Sequence, residues 1–171
     1  MRHQRLFLFL FFTTASFCCG ADLVVNLRRD AQACAAAWNR RDFKMVVSYL
    51  PERLYPNGRA RVEAVKEIED GLSSAGDPAF HVSIGTIKKA RKYRKLYAAI
   101  VPISATLDWP GLRTTDDSYL LAVSSNEGQS WQFLPLYEET QRDIDKFFPE
   151  FEGKILIPQS PAPATQIVIP D

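Results

Sequence analysis

The stretch AAAWNRRDFKMVVSYLPERLYPNGRARVEAVKEI, residues 35–68, decides the fold of the amino-terminal half of this chain. It holds three apolar runs separated by charged or turn-forming residues. The first run ends an amphipathic pattern over residues 22–38 that has helical spacing. Asp42 stands where a helix N-cap belongs, and Pro51 stops the short helix that follows. Tyr55-Pro56-Asn57-Gly58 is typical of a turn, and a third helical pattern begins after it. The stretch therefore predicts three consecutive helices.

After Pro78 the period of the apolar pattern falls from about 3.6 residues to 2, which is typical of strands. Four strand candidates follow one another through short turns, over residues 80–85, 93–107, 112–125 and 130–136. Such a series predicts an antiparallel meander. Pro102 lacks an amide donor, so we expect the second strand to bulge or to lie at an edge there.

The carboxyl-terminal part of the chain predicts a last helix over residues 140–151 and a proline-rich extended tail from Pro158 onward. The expected fold class is therefore α+β. Three amino-terminal helices pack on a curved antiparallel four-stranded sheet, and a carboxyl-terminal helix and an extended tail follow.

The first 21 residues have the pattern of a secretory signal peptide. Two arginines precede an apolar run over residues 6–12, and small residues ending at Ala21 offer a cleavage point before Asp22. Two alternatives are an uncleaved amino-terminal anchor and bacterial lipidation at Cys18 or Cys19. The expected location is secreted or periplasmic, with membrane contact only through an uncleaved or lipidated amino terminus.

Composition and charge exclude some classes of protein. Hydrophobic residues make up 46% of the 171 residues and charged residues 24%, which is ordinary for a globular domain. The net charge of +1 lacks the basic excess of a general nucleic-acid binder. Removal of residues 1–21 would leave Cys34 as the one cysteine, so we expect no intrachain disulfide in the mature chain.

Three segments carry a resemblance to a known superfamily: AAAWNRRDFKMVVSYL, RVEAVKEIEDGL and EGQSWQFLPL. The chain resembles the NTF2-like superfamily, the cone-shaped α+β fold of ketosteroid isomerases, over residues 22–137. It departs from that pattern in lacking a clear strand between the second and third helices. Residues 138–157 form a helical extension beyond the usual domain, and residues 158–171 form the proline-rich tail.

The resemblance implies a pocket between the helices and the sheet. Members of the superfamily use this space as an active site, as a ligand cavity, or as a packed core with the sheet as a dimer surface. The fold alone does not choose among these uses.

His81 and Asp116 are the candidate catalytic residues. His81 is the single histidine after residue 21, and histidine is the commonest general base. Asp116 and Asp117 are adjacent, so on a strand they point to opposite faces and do not form a cooperating pair. Ketosteroid isomerase-like sites combine a carboxylate base with a tyrosine, but no position-by-position match to such a site emerges. With one histidine and one cysteine, we expect no metal site and no cofactor.

Four aromatic residues near the ends of the predicted elements are candidate ligand contacts, because cavity mouths form at such ends. They are Tyr49, Tyr55, Trp109 and Tyr119. The alternative is ordinary packing in the core.

A basic segment, KKARKYRK over residues 88–95, is a candidate contact for a polyanion. Its six cations are Lys88, Lys89, Arg91, Lys92, Arg94 and Lys95. The alternative is a solvated hairpin tip. Secretion argues against nucleic acid as a partner.

The sequence favours a non-enzymatic binding or interaction module with a small, mostly apolar ligand in the helix–sheet cavity. One alternative is a small lyase or isomerase that uses a pocket aspartate or His81 with a tyrosine. Another is a homodimer formed through the sheet.

Overall fold

The computed structural model describes residues 19–55, 57–136, 140–151, 153–156, 158 and 164–167. The predicted signal peptide lies almost entirely outside these residues, and so does most of the predicted tail. The helices are α1 (Cys19–Asn39), α2 (Phe43–Ser48), α3 (Gly58–Ser74) and α4 (Thr140–Phe147), and a 3₁₀ turn follows over Pro149–Phe151. The strands are β1 (Ala79–Ile84), β2 (Arg91–Tyr93), β3 (Leu96–Trp109), β4 (Leu112–Ser124), β5 (Gln132–Leu136) and β6 (Ala164–Ile167).

The break between α1 and α2 forms as its sequence predicts. The side chain of Asp42 accepts a hydrogen bond from the amide of Met45 at 3.1 Å, which confirms it as the N-cap of α2. Across the break, the rings of Trp38 and Phe43 meet edge to face at 5.8 Å between centroids. Asn57 caps α3 in the same way, accepting from the amide of Ala60 at 2.9 Å.

The sheet is antiparallel and is built around two long strands, β3 and β4, which pair from Tyr97–Ser124 to Trp109–Leu112. Each long strand has two short partners on its other edge. β1 and β2 pair with opposite ends of β3, while β5 and β6 pair with opposite ends of β4. The helices and this sheet confirm the α+β class, but the sheet has six strands rather than the predicted four.

Two strands, β2 and β6, were not predicted from the sequence, each for a different reason. The predicted strand over residues 93–107 breaks at Arg94, whose φ of +54° turns the chain between β2 and β3. Arginine is not a usual turn residue, so the sequence carried no signal there. Within the predicted tail, residues 164–167 form β6 and pair with residues 112–115 of β4.

Pro102 lies inside β3 but beyond the end of β1. The last register pair of β1 with β3 is Ile84–Ile103, after which the amide of Gly85 donates to the carbonyl of Pro102 at 2.8 Å. A Cβ at Gly85 would lie 2.9 Å from the Cβ of Pro102, so only glycine allows this close approach. The chain leaves β3 at this point and returns as β2, and the missing amide of Pro102 falls where β3 is locally an edge strand.

Both faces of the sheet are covered, each by a separate apolar core. On the first face, α1 packs Leu27, Ala31 and Cys34 against β3, β4 and β5. α3 packs on α2 and the end of α1 through Val65, Ile68 and Leu72, whereas Val62 near its start is 70% exposed. On the second face, Ile144 of α4, Phe151 of the 3₁₀ turn and Phe148 between these two elements pack against the sheet.

Two side chains of α1 hold the helix to the sheet. The carboxylate of buried Asp30 accepts a hydrogen bond from the amide of Trp131, just before β5, at 2.9 Å. Asn39 pairs with the backbone of Val82, donating to its carbonyl at 3.0 Å and accepting from its amide at 2.6 Å.

Among the described residues, no helix is long and apolar enough to cross a membrane.

Candidate functional site

A cavity of about 390 Å³ lies between α1, α3 and the first face of the sheet, on which α1 packs. This volume lies within the usual range of small-molecule sites, roughly 300–1,000 Å³. Large apolar side chains from both layers form most of its wall, among them Trp38, Ile68, Leu72, Phe80, Ile103 and Leu120. The cavity is where the helix–sheet pocket was expected.

Small residues keep this space open. Ala35 on α1, Gly71 on α3 and Ala105 on β3 all line the cavity. A Cβ added to Gly71 would meet no atom within 4 Å, so the helix leaves room at this point. Larger side chains at these positions would fill the cavity, and the space therefore depends on residue size as well as on the fold.

Asp116 is the polar group of greatest interest in the cavity. Its side chain is half-buried on β4, opposite Ala105 and two residues before Ser118, which also lines the cavity. Within the part of the chain that the structure describes, its carboxylate has no hydrogen bond and no ion pair. A half-buried acceptor without a partner is suited to a ligand that brings a hydrogen-bond donor.

Two other ionisable groups line the cavity. Glu67 is exposed on α3 and brings a second carboxylate to the edge of the space. Cys34 is 5% exposed, and burial raises the pKa of its thiol to about 12. The thiol is therefore protonated at neutral pH and is a poor nucleophile.

The two candidate catalytic residues, His81 and Asp116, do not come together. Val82 points into the cavity, so its neighbour His81 lies on the opposite face of β1, where it is exposed. Asp116 faces the cavity and Asp117 faces away, in agreement with the alternation of a strand. Asp108 is engaged elsewhere by Arg113, whose hydrogen bond lowers the pKa of the aspartate. The described lining of the cavity contains no tyrosine and no histidine.

The four predicted aromatic ligand contacts lie outside the described lining of this cavity. Tyr49 packs on Phe133 at 5.9 Å between ring centroids, and burial raises the pKa of its hydroxyl. The indole of Trp109 donates to the carbonyl of Ala75 at 2.8 Å. Tyr55 is half-buried on the connection between α2 and α3, and Tyr119 lies on the other face of the sheet.

The basic segment is divided by the fold. Three of its cations, Lys88, Lys89 and Arg91, line a separate groove. The ammonium of Lys92 lies 5.4 Å from the centroid of the Tyr97 ring. Tyr97 packs on the first face of the sheet, which α1 covers. Arg94 and Lys95 form the turn between β2 and β3. The structure therefore brings half of the predicted polyanion contact together.

No group of three or more histidine, cysteine, aspartate or glutamate residues with the arrangement of a metal site occurs in the described ranges.

Comparison of the chain with protein-family models, with curated proteins and with solved structures found no match. The resemblance to the NTF2-like superfamily thus stays a prediction from the sequence.

Proposed function

We propose that this chain is a non-enzymatic binding module that holds a small, mostly apolar ligand between its helices and its sheet, outside the cytoplasm. The observation that carries the proposal is the cavity of about 390 Å³, with its large apolar wall and one half-buried carboxylate. Apolar area would supply most of the affinity, at roughly 25 cal/mol for each Å² of ligand surface removed from water. Asp116 would orient the ligand through a donor group.

Ala105→Phe is expected to weaken binding of a neutral apolar fluorophore, phenylnaphthylamine, by about tenfold or more, because the new ring takes up the ligand's space. Ala105 lies opposite Asp116 and lines the cavity. The measurement is the rise in fluorophore emission on titration of the full chain. Native mass spectrometry of the same preparation would show whether a compound co-purifies with it.

Ser104→Phe is the matched control. It places the same ring one residue earlier on β3, where the register partners Ser83 and Asp117 mark the opposite face of the sheet. We expect this variant to bind the fluorophore as the unchanged protein does. Equal loss in both variants, or no loss in either, would show that the fluorophore binds outside the cavity and would count against the proposal.

A lyase or isomerase is the second candidate, and the position of Asp116 in the cavity is the observation that favours it. A carboxylate in an apolar site is a suitable base for abstracting a proton from carbon. Binding is preferred because the described lining holds no tyrosine or histidine to act as the partner acid. Conversion of a co-purified compound by the unchanged protein, and not by Asp116→Asn, would reverse this preference.

A homodimer through the sheet is the third candidate. On the second face, α4 and the 3₁₀ turn already cover the region around Leu121 and Val123. A partner would therefore have to use the rest of that face, where polar residues such as His81, Ser104 and Thr106 lie. Light scattering of the full chain at high concentration tests the proposal, and a monomer there would contradict it.

A further inference from the structure

A second concave site lies on the sheet face opposite the cavity. It is a groove of about 450 Å³ beside the gap where β1 has ended and β2 has not yet begun. Alternate residues of β3, namely Ala98, Ile100 and Pro102, line it together with Tyr119 of β4. The remaining described lining consists of Thr86, Lys88, Lys89, Arg91, Tyr93, Ala99, Lys154, Ile155, Leu156 and Pro158. The groove thus exists because the chain leaves the edge of β3 at Gly85.

Four cations line this groove: Lys88, Lys89, Arg91 and Lys154. All four are exposed, and within the described chain none of them is in an ion pair. No acidic residue occurs in the described lining. Like charges gathered around a concave apolar surface raise the local concentration of anions, so the groove favours a ligand with a negative group.

The rest of the groove is apolar, which argues against a plain inorganic anion. Leu156 lines it and is 80% exposed, although the neighbouring Ile155 is buried in the second core. The ring of Tyr93, held against Phe151 at 5.2 Å between centroids, adds a fixed apolar wall. An exposed leucine and two tyrosines beside four unpaired cations fit a ligand with a charged end and an apolar end.

We propose that this groove binds a single-chain lipid with an anionic head group. The alkyl chain would lie along Ala98, Ile100 and Leu156, and the head group would be held by Lys88, Lys89, Arg91 and Lys154. This site is separate from the helix–sheet cavity and carries the opposite charge, so the inference goes beyond the proposed function and does not rest on it.

The test is calorimetric titration of the full chain with decyl phosphate at concentrations below micelle formation. Decanol, inorganic phosphate and decyltrimethylammonium are titrated separately as tail-only, head-only and opposite-charge probes. We expect decyl phosphate to bind at least about tenfold more tightly than each of the three other probes. Its binding should also weaken as added salt screens the charges of the lysines. Equal binding of decanol would remove the role of the cations. Equal binding of inorganic phosphate would reduce the groove to a simple anion site, and either result overturns the proposal.

Matched double variants assign the binding to the groove. Lys88→Gln with Lys89→Gln removes two groove cations, while Lys92→Gln with Lys95→Gln removes the same charge from the same segment outside the groove. We expect about tenfold weaker binding of decyl phosphate for the first pair and a change within about twofold for the second. Equal effects of the two pairs would overturn the proposal. Ala105→Phe should leave decyl phosphate binding unchanged, which separates failure here from failure of the cavity proposal.

Discussion

Replacing Phe148 by alanine is expected to lower the free energy of unfolding by about 3–5 kcal/mol, the usual cost of removing a fully buried phenylalanine. The side chain is 2% exposed and lies at the centre of the core on the second face of the sheet. Its ring stacks on Phe151 at 5.4 Å between centroids, and the guanidinium of Arg53 lies 5.4 Å from its centre. The truncation would remove both contacts and leave a void between α4 and the sheet.

Phe147→Ala is the natural control, because the neighbouring ring is half-buried and lies beside the ammonium of Lys146 at 5.6 Å. We expect a loss of about 1 kcal/mol there, in proportion to the smaller apolar area removed from water. Urea unfolding followed by tryptophan fluorescence measures both values. Equal losses would mean that α4 does not pack on the sheet as described.

Asp30→Ala is expected to cost about 2–3 kcal/mol, because it leaves a buried amide without an acceptor. The carboxylate of Asp30 accepts from the amide of Trp131 at 2.9 Å, and both residues are buried. Its other oxygen pairs with the guanidinium of Arg29 at 2.8 Å. One side chain thus joins the middle of α1 to the start of β5, which lies about a hundred residues later in the chain.

Two further variants divide this cost between the hydrogen bond and the ion pair. Asp30→Asn keeps an oxygen that can accept from Trp131, so we expect it to lose less than Asp30→Ala. Arg29→Ala removes the ion pair together with the hydrogen bonds that Arg29 donates to the carbonyl of Gln129 and to the side chain of Asn26, and it leaves the bond from the Trp131 amide to Asp30 in place. Since the Arg29 side chain is 59% exposed, we expect this variant to lose much less stability than Asp30→Ala does. The same urea unfolding applies. If Arg29→Ala lowered the free energy of unfolding as much as Asp30→Ala, the buried hydrogen bond would not account for most of the stability lost in Asp30→Ala.

The helical half of the fold could be predicted because its signals are local. The spacing of apolar residues marked α1 and α3, and Asp42 marked the start of α2 through a hydrogen bond to a residue three positions later. The strands depend on pairing between distant segments. The turn at Arg94 has no glycine, asparagine or proline, and β6 lies in a proline-rich segment, so local patterns identified neither.

The site shows the same division between local and long-range information. Alternation along β4 correctly separated Asp116, which lines the cavity, from Asp117. It did not reveal which of the two faces meets α1 and α3, because that depends on tertiary packing. The cavity residues that sequence reasoning missed are small ones, such as Ala35, Gly71 and Ala105. Their role is to leave space, which no single residue signals on its own.

The division of the sheet edges into short pieces has a consequence for self-association. A long unpaired strand edge is a template on which another chain can add a strand, and this is a common route to aggregation. Here the outer edge of β3 is shared by β1 and β2, and the edge of β4 by β5 and β6. The outermost described strands are therefore three to six residues long. Pro102 lies in the gap on β3 and Pro135 in β5, and neither can donate to an incoming strand.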